Sequence, residues 1–183
     1  MNLTADQLSA AAGTSLMRAS KWLMPIKDTC ETFSITSQAR FCMFIAQVSH
    51  ESGRLCYGRE VWGPTPAQLR YEGRADLGNT FPGDGFLYRG RGLLQITGRY
   101  NYQRTRDGLR KFLANVPDFE KEPEKLEEPE WAALSAGLYW HNHSLNSQAD
   151  SGDIRECTRI INGGFNGLAE RQALYDNAKK AYR

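Results

Sequence analysis

The feature that most restricts the fold is a run of apolar residues in the first third of the chain. They follow the i, i+3, i+4, i+7 spacing of an α-helix and also fill its flanking positions: Phe41, Cys42, Met43, Phe44, Ile45, Ala46 and Val48. Ser37 suits the N-cap of this helix. A helix that is apolar on nearly every side is buried, so other helices must pack around it.

Helical patterns cover much of the remaining chain. A first helix is predicted between Thr4 and Gly13, and a second begins after Ser15 and ends at Pro25, because proline removes a helical hydrogen bond. Further helices are predicted at residues 100–113, 129–141, 153–161 and 168–182. The predicted fold class is therefore all-α, or mainly α.

Residues 53–98 interrupt the helices. This stretch holds ten glycines and three prolines and has no helical period. It therefore predicts a glycine-rich, irregular insertion that has room for a small β-hairpin. Loops held by a rigid scaffold often carry function, so we expect functional residues here.

The composition excludes several classes of protein. The 23 Lys and Arg residues nearly balance the 21 Asp and Glu residues, which argues against a nucleic-acid binder. No signal peptide and no apolar stretch of transmembrane length is visible, so we expect cytoplasmic synthesis and no stable membrane association. Four cysteines without CxxC spacing then predict free thiols, most of them buried: Cys30, Cys42, Cys56 and Cys157.

Charge is segregated along the chain although it nearly cancels overall. Residues 89–111, the basic stretch, carry seven Lys or Arg residues, and residues 118–130, the acidic stretch, carry seven Asp or Glu residues. One interpretation is that the two stretches pair with each other. The other is a cationic rim that steers the protein towards a polyanionic surface.

Glu51 lies where the apolar helix ends. The next positions on the face of Phe44 and Val48 are 51 and 52, so the carboxyl group sits at the edge of an apolar stripe. Partial desolvation favours the neutral form of a carboxyl group, which suits a general acid. The alternative is a structural ion pair with Arg54 or Arg59.

Glu60 is the second candidate carboxylate. Arg59 and other cations nearby would keep it ionised, and two carboxyl groups in opposite states suit an acid and a base. Three more acids of the insertion compete for this role: Glu72, Asp76 and Asp84. The histidines lack metal-ligand spacing, and no phosphate loop or nucleophile signature is present, so no metal or cofactor is expected.

Six motifs together resemble the glycoside hydrolase family 19 chitinases. They are His50-Glu51-Ser52, Arg59-Glu60, YRGRGLLQIT at 88–97, Asn101-Tyr102, Ile161-Asn162-Gly163-Gly164 and Glu170-Arg171. The likeness is closer to the short phage endolysins of this family. Their N-terminal helix pair, compact loop between the glutamates and closing NGGxNGLxERxxLY stretch resemble residues 4–28, 51–60 and 162–175.

The resemblance implies a lysozyme-like, two-lobed helical fold around a saccharide cleft. Residues 1–183 would form a single catalytic domain without a separate wall-binding module. The implied reaction is inverting hydrolysis of a β-1,4 bond, with Glu51 as general acid, Glu60 as general base and Thr97 positioning the water. Further cleft and substrate-binding positions are implied at His50, Tyr88, Gln95, Asn101, Asn162 and Arg171.

The expected function is that of an endolysin which cuts the glycan strand of bacterial peptidoglycan as an N-acetylmuramidase. Such an enzyme would be a monomer that stays in the host cytoplasm until a holin releases it to the wall. A chitinase and a lytic transglycosylase remain alternatives. A catalytically inactive glycan-binding protein would not need both Glu51 and Glu60.

Overall fold

A computed structural model describes residues 2–182. The α-helices are α1 (Ala5–Ala12), α2 (Leu16–Thr32), α3 (Gln38–Glu51), α4 (Pro66–Leu69), α5 (Asp84–Leu87), α6 (Arg99–Leu109), α7 (Pro129–Asn142), α8 (Leu145–Asp150), α9 (Ile154–Asn162) and α10 (Leu168–Ala181). Short 3₁₀ helices cover Ala75–Leu77 and Pro123–Glu127. The predicted mainly helical class is confirmed.

Helix α3 is the centre of the core, as its sequence predicts. Residues 41–49 are all buried, and α3 packs against α1, α8, α9 and α10. The Phe44 ring also meets the Trp140 ring of α7 edge to face, with centroids 5.3 Å apart. Ser37 caps the helix by accepting a hydrogen bond from the Arg40 N–H. This packing fixes the end of α3, where Glu51 lies.

Helix α2 does not end at Pro25, and that prediction is wrong. It continues to Thr32 because its second half buries Ile26 and Cys30 completely. Proline costs a helix interior about 3 kcal/mol, whereas burying one large apolar side chain contributes about 1.5–3 kcal/mol. The carbonyl that loses its donor belongs to Lys21, which is exposed, so water can satisfy it.

A close helix contact also holds α2 in place. A Cβ atom added at Gly137 of α7 would lie 2.4 Å from side-chain atoms of both Thr29 and Phe33. Only glycine allows this approach, which brings α7 directly onto the second half of α2.

The insertion is irregular, as predicted, but it holds no hairpin. Within residues 2–182 the β-structure consists of isolated bridges, which pair Arg59 with Arg91 and Arg91 with Ile96. The helix predicted at 100–113 ends earlier, at Leu109, and the short helix α8 was not predicted. In the part of the chain described, no helix is both long and apolar enough to cross a membrane.

Ion pairs join the basic stretch to the acidic stretch. Arg91 Nε lies 2.7 Å from Glu127 Oε1, and Arg106 Nη1 lies 2.7 Å from Asp118 Oδ1. The pairing interpretation is therefore correct for much of the basic stretch. These arginines do not form a rim of free positive charge, because nearby carboxylates compensate them.

Candidate active site

Glu51 contacts a buried arginine that comes from the far end of the chain. Arg171 of α10 is fully buried and donates a short hydrogen bond from Nη2 to Glu51 Oε1. Its Nη1 donates to Gln47 Oε1 at 2.5 Å, one helical turn before Glu51. Gln47 donates in turn to Thr158 Oγ1 of α9 at 3.3 Å. Three helices thus hold the Glu51 carboxyl group in one position.

The arginines suggested as structural partners of Glu51 lie elsewhere. Arg54 approaches Glu170, and Arg59 pairs with Glu127 at 3.2 Å. His50 also faces Glu170, with Nδ1 3.0 Å from Oε2, and its ring packs against Gly167. In this structure His50 therefore orders the loop before α10, and Glu51 sits against buried charge rather than in a purely apolar setting.

Glu60 is held by neutral donors and not by arginines, which corrects the expectation about its neighbours. Its Oε1 accepts from Gln68 Nε2 at 3.0 Å and from the Tyr71 hydroxyl at 3.3 Å. Its Oε2 accepts from the Gly90 N–H at 3.1 Å. Burial, together with the Glu60 carboxylate, raises the pKa of Tyr71, so the phenol stays a donor at neutral pH.

The competing acids have other roles. Glu72 accepts backbone hydrogen bonds from Gly83 at 2.6 Å and Gly85 at 2.8 Å, which closes the loop before α5. Asp84 is 2% exposed and is paired with Arg99. Asp76 is bound to its neighbour Arg74 at the surface. Glu60 differs from Asp76 and Asp84 because uncharged groups hold its carboxylate, and it differs from Glu72 because two of its donors are side chains, those of Gln68 and Tyr71.

A cavity of about 480 Å³ lies between the insertion and helices α6 and α7. It is lined by Leu77, Leu94, Gln95, Ile96, Thr97, Asn101, Arg104, Thr105, Ser135, Leu138, Tyr139, Asn142 and His143. Three of the predicted site residues, Gln95, Thr97 and Asn101, are among these. Asn101 Nδ2 donates to the Thr97 carbonyl at 2.7 Å and so ties α6 to the loop.

Both candidate carboxylates border residues of this cavity. A Cβ atom added at Gly90 would lie 2.4 Å from Gln95 Oε1 and 3.3 Å from Glu60 Oε2, so both groups flank the same backbone position. On the other side, burial and the charge of Glu51 raise the pKa of Tyr139. Each of the two carboxyl groups, held in different ways, is therefore next to a residue of the cavity lining, although neither lines the cavity itself.

Four of the implied substrate-binding residues lie outside the cavity lining: His50, Tyr88, Asn162 and Arg171. Tyr88 is 1% exposed, donates from its hydroxyl to the Glu120 carbonyl and packs against Tyr102, so its ring is not available for stacking on a sugar. The substrate-binding position implied at Tyr88 is therefore a buried core position in this structure. Asn162 is exposed at the end of α9.

Several residues of the site escaped the sequence analysis. Gln47 had a signal, because it is the polar residue one turn before Glu51 in an apolar run. Gln68 and Tyr71 had none, since only the folded loop brings them to Glu60. Residues 2–182 contain no group of three or more His, Cys, Asp or Glu side chains that could hold a metal ion.

The sequence of the chain is similar to sequences of known proteins. No protein-family model matches the chain. The chain is 33% identical over 178 residues to a "Glycosyl hydrolase family 19 domain-containing protein" of Haemophilus influenzae, covering 82% of this chain and 84% of that protein. An endochitinase of Arabidopsis thaliana is 34% identical over 66% of this chain, which spans only 38% of that endochitinase.

Solved structures with the same fold include two chitinases. Chitinase C from Streptomyces griseus superposes with a TM-score of 0.72 at 21% identity, over 97% of this chain and 75% of that chain. A bacterial family 19 chitinase gives a TM-score of 0.71 at 20% identity, over 97% and 93% of the two chains. At these identities the match concerns the fold.

Proposed function

Since the chain belongs to glycosyl hydrolase family 19 and is a glycoside hydrolase, we propose that its substrate is the glycan strand of bacterial peptidoglycan. It cuts the β-1,4 bond between N-acetylmuramic acid and N-acetylglucosamine as a phage endolysin. The whole catalytic function resides in a single domain that acts as a monomer. A holin releases it from the host cytoplasm to the wall.

One observation carries the mechanism: two carboxyl groups with different supports each neighbour a residue that lines the same cavity. Glu51 is the general acid. Arg171 contacts its Oε1, which leaves Oε2 to carry the proton that is given to the leaving sugar oxygen. A hydrogen-bonded guanidinium also fixes the orientation of this acid, as catalysis requires.

Glu60 is the general base that takes a proton from the attacking water. Its two oxygens accept hydrogen bonds from Gln68, Tyr71 and Gly90, which orient the carboxylate without a cation next to it. Because water attacks from the face opposite the leaving group, the product is inverted, and the two carboxyl groups must leave room for that water. The Thr97 hydroxyl donates to the Gln95 carbonyl at 3.2 Å, so its oxygen can accept a hydrogen bond from the water.

Support for an endolysin comes from the motifs of the chain. The compact loop from Glu51 to Glu60 and the closing stretch at 162–175 resemble the short phage endolysins of the family. A chitinase is the second candidate, because relatives of this chain include endochitinases of Arabidopsis thaliana.

Analysis of the products tests the proposal. Purified peptidoglycan is digested, the products are reduced with borohydride, and the new ends are identified by mass spectrometry. Reduced muramic ends support the proposal. Reduced glucosamine ends indicate a glucosaminidase, and anhydromuramic ends indicate a transglycosylase. Cleavage of chitin oligomers without any wall products would make the protein a chitinase.

A further inference from the structure

Arg104 and Arg110 are the two arginines of the basic stretch without an ion pair among residues 2–182, and of the two only Arg104 lines the cavity, since Arg110 donates to the Val116 carbonyl. The arginines with acidic partners are Arg89, Arg91, Arg99 and Arg106. Within residues 2–182, no carboxylate pairs with Arg104, which is exposed. The ion pairs that compensate much of the basic stretch therefore leave this positive charge uncompensated.

The Arg104 guanidinium is nevertheless held in place. It lies 4.1 Å from the ring centroid of Tyr100, one helical turn earlier on α6, and its Nη2 donates to the Tyr100 hydroxyl at 2.9 Å. Stacking on an aromatic ring and one hydrogen bond reduce the entropy that a long side chain loses on binding a ligand. The remaining N–H groups form the planar fork that suits a carboxylate.

Arg104 is one of the residues that line the cavity, together with Gln95, Thr97 and Asn101. None of the residues lining the cavity is acidic. His143 stacks on Tyr139 at 3.9 Å with Nδ1 2.8 Å from the Tyr139 carbonyl, so its Nε2 is the ring nitrogen left for a ligand. A cavity with one free cation and no acid favours an anionic group.

We propose that Arg104 binds a carboxylate of the substrate and thereby selects acidic glycan strands over neutral N-acetylglucosamine polymers. This inference rests on the proposed function, because chitin has no carboxylate, whereas peptidoglycan has them. Two parts of peptidoglycan could supply this carboxylate. One is the lactyl group of muramic acid, whose carboxylate is free where the peptide stem is absent. The other is the set of carboxyl groups on the stem itself.

The test compares wild type with Arg104→Gln on two forms of the same soluble strands. One form is native, and in the other the carboxyl groups are converted to amides by carbodiimide and ammonia. On native strands we expect KM to rise about 3- to 10-fold with kcat nearly unchanged, as for loss of one partly exposed charged hydrogen bond. On amidated strands the two proteins should have the same KM.

Two variants serve as controls. Lys111→Gln removes the same charge from the basic stretch at an exposed position outside the cavity lining, and it should behave like wild type on both forms. Arg104→Lys keeps the charge but loses the planar fork, so its KM should lie between those of wild type and Arg104→Gln. Circular dichroism verifies that each variant is folded.

The outcomes distinguish a failure of this inference from a failure of the proposed function. If wild type cleaves peptidoglycan and Arg104→Gln loses nothing, or loses equally on amidated strands, the role of Arg104 is overturned and the function stands. If wild type cleaves no peptidoglycan, both are overturned. An effect seen only on strands stripped by an amidase assigns the lactyl carboxylate, and one seen only on strands with stems assigns a stem carboxylate. Either result supports the proposal.

Discussion

Arg171, buried completely within α10, donates a hydrogen bond to Glu51 at the end of α3. The two residues are 120 positions apart in the chain. A charge that is buried must be paired. The Arg171 guanidinium lies in the core, and its partner there is Glu51, the candidate acid. Stability and the orientation of Glu51 therefore depend on the same contact.

Replacing Arg171 should destabilise the protein as well as inactivate it. Arg171→Met leaves Gln47 and Glu51 without their shared donor, and because Glu51 is partly exposed and can be solvated, we expect a loss of about 1.5–3 kcal/mol. Urea denaturation at pH 7 measures the loss. Arg159→Met removes an exposed arginine that pairs with Glu156 on the same helix, and it should unfold almost like wild type. Equal stabilities of the two variants would contradict a structural role for the buried pair.

Glu51→Gln should abolish turnover and lower stability, because the buried Arg171 loses its charged partner, but the variant should still fold. The amide oxygen can still accept from Arg171, but the side chain has no proton to donate, so lysis of purified cell walls should fall about 10²- to 10⁴-fold. Turbidity clearing measures the rate, and thermal unfolding verifies the fold. Substantial lysis by the folded variant would remove Glu51 from the mechanism.

Glu60→Gln should also be nearly inactive, because the amide cannot accept a proton from water. The matched control is Glu72→Gln, whose carboxylate only accepts backbone hydrogen bonds from the loop before α5. We expect this control to retain most of its activity in the same assay. An active Glu60→Gln with an inactive Glu72→Gln would mean that the base is misassigned.

Asp84 should make stability depend on acid pH. Burial opposes its ionisation, but hydrogen bonds from Arg99 and from the Phe81 N–H outweigh burial and lower its pKa. A lowered pKa in the folded state stabilises the fold above about pH 4, the unfolded value, and this contribution is lost as the pH falls through the folded value.

Asp84→Asn is the variant that isolates this effect. It should lose about 3 kcal/mol at pH 7, since Arg99 loses a buried partner, and its stability should vary less than that of wild type below about pH 4. Urea denaturation at a series of pH values measures both. The same pH dependence in the two proteins would show that Asp84 contributes no such stabilisation.

The thiols should differ in reactivity. Cys30, Cys42 and Cys157 are buried and Cys56 is exposed, and all are free. Burial raises the pKa of Cys42 to about 11 and that of Cys157 to about 12. A thiol reagent should therefore modify Cys56 rapidly in the native protein and all four thiols after denaturation. A reductant should leave activity unchanged, and activity lost on reduction would indicate a disulfide.

The sequence by itself determined the elements whose signals are local. The apolar period from Phe41 to Val48 identified the buried helix, and Thr4, Ser15 and Ser37 marked helix starts that the structure confirms. Glu51 followed from the same helical geometry. Such features depend on residues a few positions apart, so spacing alone predicts them.

Only the tertiary structure decided which residues far apart in the chain contact each other. Helix α2 passes Pro25 because packing of its second half outweighs a lost hydrogen bond. Tyr88 is buried because Tyr102 and Glu120 meet it in the fold, and Glu60 is held by Gln68 and Tyr71 of the folded loop. These outcomes depend on which side chains come into contact and lose water together, and that energy is set by the folded arrangement rather than by neighbours along the chain.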